Sequence, residues 1–209
     1  MNRDEPAFSW MHRLRIGAAV TLGLMASPGS AHAHLVTTGL GPVYDGLLHF
    51  ALAPEDLVPV LALAALAGLR GTAHGRRVLF VLPTAWLLGG LLGLSIGVGA
   101  SPLAPVASFL LLGVLVATDA RLPLAAISAL ALILGLLHGY LNGVAMAGPG
   151  LGALGVIGVV ICVFTLTALV TSLVVPLQVV WARVAVRVAG SWIAAVGLLL
   201  LGWTLRPGA

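Results

Sequence analysis

Beyond residue 34 the chain carries only four acidic side chains: Asp45, Glu55, Asp56 and Asp119. Three of them fall in one stretch, Tyr44-Asp45-Gly46-Leu47-Leu48-His49-Phe50-Ala51-Leu52-Ala53-Pro54-Glu55-Asp56-Leu57. On an unbroken helix Asp45 and His49 are i,i+4 neighbours, and Asp56 falls two turns beyond His49 on the same face. Such a stripe offers oxygen and nitrogen ligands together. Imidazole with carboxylate suits a borderline divalent ion such as nickel, cobalt or zinc. Pro54 allows a second arrangement. Proline favours the first turn of a helix, and Glu55 and Asp56 behind it sit where the helix dipole favours acids. The stretch would then be a short or re-entrant piece followed by a second helix, and a broken helix over a cavity can also build a site.

A second constellation is Leu137-His138-Gly139-Tyr140-Leu141-Asn142-Gly143. His138 and Asn142 share a helix face at i,i+4. They read either as ligands or as hydrogen-bonded packing residues. Gly135, Gly139 and Gly143 recur every fourth residue, a spacing that lets another helix approach closely. Asp119, beside Arg121 in a short turn, reads as a surface residue. His74, near Arg76 and Arg77, reads as a solvated loop residue.

The elements that must carry these residues are apolar. Of 209 residues, 60% are hydrophobic and 8% charged, with a mean hydropathy of +1.15. A soluble domain needs more charge than that for its surface. The fold class expected is therefore an all-α integral membrane protein. Arg13 and Arg15, the apolar stretch 16–25, the breakers at 27–29 and Ala31-His32-Ala33 form a secretory signal over residues 1–33, with cleavage after Ala33. The alternatives are an uncleaved first helix, and a start at Met11 rather than Met1. A six-helix domain over 34–209 follows, with spans at 43–69, 78–99, 103–118, 122–147, 151–176 and 188–205. Short connections predict that sequential helices pack as antiparallel neighbours. The two polar constellations on the first and fourth spans permit a three-plus-three arrangement of halves.

The basic residues give an orientation. With the mature N-terminus outside, the inward loops hold Arg70, Arg76, Arg77, Arg121, Arg183 and Arg187, and the outward ones only Arg206. That predicts N-out, C-out in a bacterial inner membrane. The high pI thus reflects topology, and no nucleic-acid partner is expected. His138 then falls in the outer half of its span, at a depth similar to His49 and Asp56. His34, at the new N-terminus, would offer an α-amine and an imidazole as a chelate, or be an untethered tail residue. No Lys exists for a nucleotide-binding loop, so no nucleotide partner is expected. Ser128 and Ser172 lack a Gly-x-Ser-x-Gly context, and an enzyme is not expected. The lone Cys162 cannot form an internal disulfide.

These residues resemble the HupE/UreJ family of membrane proteins. Its first helix carries histidine, five residues, then Asp-His; here stand His49, five residues, then Glu55-Asp56, preceded by the landmarks Gly41, Tyr44 and Gly46. A later helix carries Phe-His-Gly-x-Ala-His-Gly-x-Glu. Here the segment begins Leu137-His138-Gly139, has Asn142 for the second histidine, and has Ala145 where the family has Glu. The resemblance implies a cleaved signal, about six spans, and a link to nickel and cobalt uptake for hydrogenase and urease. It implies a permease or handler of a divalent metal ion taken from the periplasm, with no permanently bound cofactor. Site residues would be His49, Glu55, Asp56, His138 and Asn142, with His34 and Asp45 beside them. The bilayer and the ion are the expected partners, and a homo-oligomer or metalloenzyme-maturation partners are compatible with it. Two other functions stay open: a non-transporting accessory or assembly protein, and a haem-binding electron-transfer protein using His49 and His138.

Overall fold

The computed structural model describes residues 38–206 apart from 99, 100, 102 and 149. The signal segment, its cleavage point and His34 lie outside the described residues. Within them the chain forms seven α-helices and no strand. They are α1 (Pro42–Leu52), α2 (Pro54–Arg70), α3 (Thr72–Ile96), α4 (Leu103–Ala117), α5 (Leu124–Ala147), α6 (Gly152–Val174) and α7 (Val180–Thr204).

The run expected as one span over 43–69 is two helices, bent by 76° where they meet. Pro54 is the cause. It lacks the N–H that would continue the ladder, and its ring pushes the preceding residue out of the helical region. Ala53 accordingly has φ −97° and ψ 88°. Its carbonyl then accepts from the N–H groups of Asp56 at 3.1 Å and Leu57 at 2.9 Å, opening α2. At the other end of α2, Gly71 alone links it to α3. Its φ of 104° is one that a residue with a Cβ rarely adopts.

Four helices, α3, α5, α6 and α7, are long and apolar enough to cross a membrane; the bent pair α1–α2, taken as one broken span, makes five. α4 has 15 residues, or roughly 22 Å of helix against a hydrocarbon core of about 30 Å. The last helix begins at Val180, eight residues before the expected span, so that Arg183 and Arg187 lie on its first two turns. Long arginine side chains can run along a helix and keep their heads at its end. Likewise Arg76, Arg77 and His74 belong to α3 and not to a loop.

Helix partners follow the small residues, not the order of the chain. The tightest pair is α3 with α5, which run in parallel. Gly135, Gly139 and Gly143 of α5 face the carbonyls of Leu82, Trp86 and Gly90, while Gly89 and Gly93 of α3 face those of Leu136 and Tyr140. A Cβ at any of these glycines would overlap the facing backbone. α4 and α7 pair antiparallel through Gly113 on Ala194, Gly190 on Ala117 and Gly197 on Leu110. α1 crosses α6 where Gly46 meets Gly155 and Gly158 meets Val43. In lipid there is no hydrophobic drive between helices, so backbone closeness decides the pairing. That is why the expected sequential pairs α3–α4 and α6–α7 do not form.

Candidate functional site

Each side of the site begins at a helix position fixed by these pairings. His138 lies fourteen residues beyond Leu124 and Trp86 fourteen beyond Thr72, so both stand about 21 Å along parallel helices. Asp56 is fourteen residues before Arg70 on α2, again about 21 Å from that end. The bend at Ala53 therefore starts α2 within the depth of the bundle and turns its first-turn acid inward. Asp56 is 5% exposed and His138 fully buried.

The two meet directly. His138 Nδ1 lies 2.7 Å from Asp56 Oδ1, and an ionised carboxylate there can only accept, so Nδ1 carries the proton it donates. Asn142 Nδ2 donates to Asp56 Oδ2 at 2.6 Å and to the His138 carbonyl at 3.0 Å. On the far side of the imidazole, Nε2 stands 2.9 Å from the Ser108 hydroxyl of α4. The single Ser108 hydroxyl proton can go either to Nε2 or to the Ala104 carbonyl at 3.2 Å. The Trp86 ring lies 5.7 Å from the imidazole, and Phe50 of α1 meets Trp86 edge-on at 5.6 Å. Five helices thus converge on one carboxylate–imidazole pair. Within this cluster two buried polar atoms have no hydrogen-bond partner, Asn142 Oδ1 and Trp86 Nε1.

The other expected ligands do not join this cluster. Glu55, one residue from Asp56, is exposed on another side of α2, where a cavity of ≈ 380 Å³ is lined also by Phe109, Trp192 and Leu200. His49 is half-buried on α1 and hydrogen-bonds to no described residue. The bend takes it off the face that an unbroken helix would share with Asp56. Asp45 is buried but occupied: it accepts from both the backbone N–H and the hydroxyl of Thr38, each at 2.6 Å. It pins the chain leading into α1. Among the described residues no three His, Cys, Asp or Glu side chains gather as a metal group. Asn142 presents its amide nitrogen to the pair, and its oxygen would become a third donor only with the carboxamide turned over.

Sequence reasoning passed over Ser108, Trp86 and Phe50. Ser108 had a signal, as the one hydroxyl in the apolar run of α4. Trp86 had none beyond its register with His138, which needs the α3–α5 pairing to be known.

Asp119 also differs from its expected role. It does not merely face solvent beside Arg121. Its carboxylate binds Arg70 at the end of α2 on one oxygen and Arg183 of α7 at 3.0 Å on the other. Arg187 adds a bond to the Ala117 carbonyl at 3.0 Å. Asp119 has φ 50°, an uncommon conformation outside glycine that Asp tolerates better than most residues. One acid thereby ties three helix ends together at the arginine-bearing end of the bundle.

The family model described as HupE / UreJ protein matches residues 21–200. The match covers most of the chain, and the chain belongs to this family. No curated protein and no solved structure matches it.

Proposed function

We propose that this member of the HupE / UreJ family is a permease or handler of a divalent transition-metal ion, nickel or cobalt in kind, taken from the periplasmic side. The observation that carries the reading is the buried Asp56–His138 pair with the unpartnered Asn142 oxygen beside it. A carboxylate and an imidazole taken out of solvent are costly, and membrane proteins keep such groups where a substrate or a proton passes. A divalent ion replacing the Nδ1 proton would have one carboxylate oxygen and one imidazole nitrogen, with the Asn142 oxygen joining once the carboxamide, whose nitrogen faces Asp56, turns over, a mixed set suited to borderline ions. Ser108 and Trp86 would hold the ring that the ion binds, as outer partners do at metal sites.

In this reading the bent α1–α2 pair and α4 each count as one pass, giving six. The arginines gathered near Arg70 and Arg183 face the cytoplasm, so both termini lie outside. A signal cleaved after Ala33 would leave His34 a few residues before Thr38, which Asp45 holds.

The accessory reading has one observation in its favour: the pair is fully hydrogen-bonded within the protein and could serve to join helices. Cellular uptake of radiolabelled nickel and cobalt separates the two. Wild type and His138→Ala would be compared at matched membrane abundance, with zinc and manganese as competitors. Accumulation lost in the variant supports the permease. Accumulation equal to vector-only cells for every ion in wild type rejects transport and leaves the accessory reading.

A further inference from the structure

A second site lies at the opposite end of the bundle, between the first turns of α3 and α5. A cavity of ≈ 410 Å³ opens there, lined by Ala73, Arg76, Arg77, Phe80, Val81 and Leu124. Arg76 and Arg77 are both exposed, and neither has an ion-pair partner among the described residues. Among the described residues the one acid at this end, Asp119, is already shared by Arg70 and Arg183. The two guanidinium groups therefore carry uncompensated charge. Both helices start here and run in parallel, with 25 and 24 residues. Neither has a side chain capping its first N–H groups. Two helix N-termini side by side add further positive potential.

The lower wall is of another kind. Phe80 is 63% exposed and stands with Val81 and Leu124, and Phe80 leans toward Phe164 of α6 at 6.4 Å. Above it on α3, Leu88 and Leu91 are exposed as a continuing apolar surface. A charged rim over an apolar track fits a molecule with an anionic head and a long chain. A small inorganic anion would use only the rim.

We infer that this cavity binds an anionic phospholipid, its phosphate held by Arg76 and Arg77 at the paired helix N-termini and its acyl chain along Phe80 and Val81. Basic pockets between membrane helices recognise headgroups in this way. The inference does not depend on what the Asp56–His138 pair handles.

The test uses the purified full chain in phosphatidylcholine nanodiscs with trace spin-labelled phosphatidylglycerol or spin-labelled phosphatidylcholine. The motionally restricted fraction is read for each label. Wild type is expected to hold the phosphatidylglycerol label at least threefold more strongly than the phosphatidylcholine one. Arg76→Gln/Arg77→Gln is expected to bring the ratio near one, and Arg206→Gln, at the far terminus, to leave it unchanged. Arg77→Glu, which inverts one exposed charge without touching the core, should lower it too, so the result does not hang on one variant folding. A ratio near one in wild type, or one unaffected by both substitutions, would overturn the inference. So would displacement of the labelled lipid by millimolar inorganic phosphate, which would make the site one for free anions.

Discussion

If Asp56 and His138 are coupled as the geometry shows, removing either one should cost more than removing both. Asp56→Leu leaves the His138 Nδ1–H and the Asn142 amide without their acceptor in a buried place. Unmet buried donors cost about 1–3 kcal/mol each. His138→Leu leaves the carboxylate with Asn142 as its remaining side-chain donor, and a buried charge stripped of its partner costs about 3–5 kcal/mol. The double variant Asp56→Leu/His138→Leu removes charge and donor together, and such replacements are often near neutral. With singles at about 2–6 and 3–5 kcal/mol and a near-neutral double, coupling in the cycle should reach about 5 kcal/mol or more, well above the ~0.6 kcal/mol average of ordinary hydrogen bonds between membrane helices, because one partner is charged. The assay is reversible unfolding in mixed micelles, followed by tryptophan fluorescence, for wild type, both singles and the double. Additive losses, with a double variant as unstable as the sum of the singles, would refute the pairing.

The glycine contacts make a sharper steric prediction. Gly139→Val should prevent stable folding or cost more than about 3 kcal/mol, since its Cβ would strike the Trp86 carbonyl. Gly148→Ala, with open space around it and φ −62°, should change the unfolding midpoint little. Asp119→Asn should lower stability by about 1–3 kcal/mol, by weakening bonds to two arginines at once. Arg121→Gln in the same assay should have a much smaller effect. N-terminal sequencing of the membrane-inserted protein should begin at His34; a Met1 or Met11 start would reject cleavage after Ala33.

The helical, membrane-embedded character was legible because apolar runs long enough to cross a bilayer leave few other folds open. Both polar constellations were legible as rare groups in apolar surroundings; of the residues matched in depth, Asp56 and His138 meet and His49 does not join them. What one strand of sequence could not give was direction around a bend. Pro54 announced a break, but only the 76° angle separates His49 from the face of Asp56. Neighbouring residues parted in the same way: Asp56 turned into the bundle and Glu55 out of it. Pairing was hidden for another reason. The stripe Gly135, Gly139 and Gly143 told that a helix would lie close, yet its partner α3 is set by the complementary Gly89 and Gly93 and not by adjacency in the chain. Ser108 entered the site through that tertiary choice. Asp119 looked like a surface acid because its partners, Arg70 and Arg183, lie far from it in sequence.

The central claim is that a divalent ion binds at the Asp56–His138 pair. Equilibrium dialysis of the purified protein against radiolabelled nickel tests it most directly, with wild type, His138→Gln and Asp56→Asn compared after each is confirmed to be folded. The account predicts one ion per chain in wild type and at least tenfold weaker binding in both variants. Nickel retained equally by all three would contradict it.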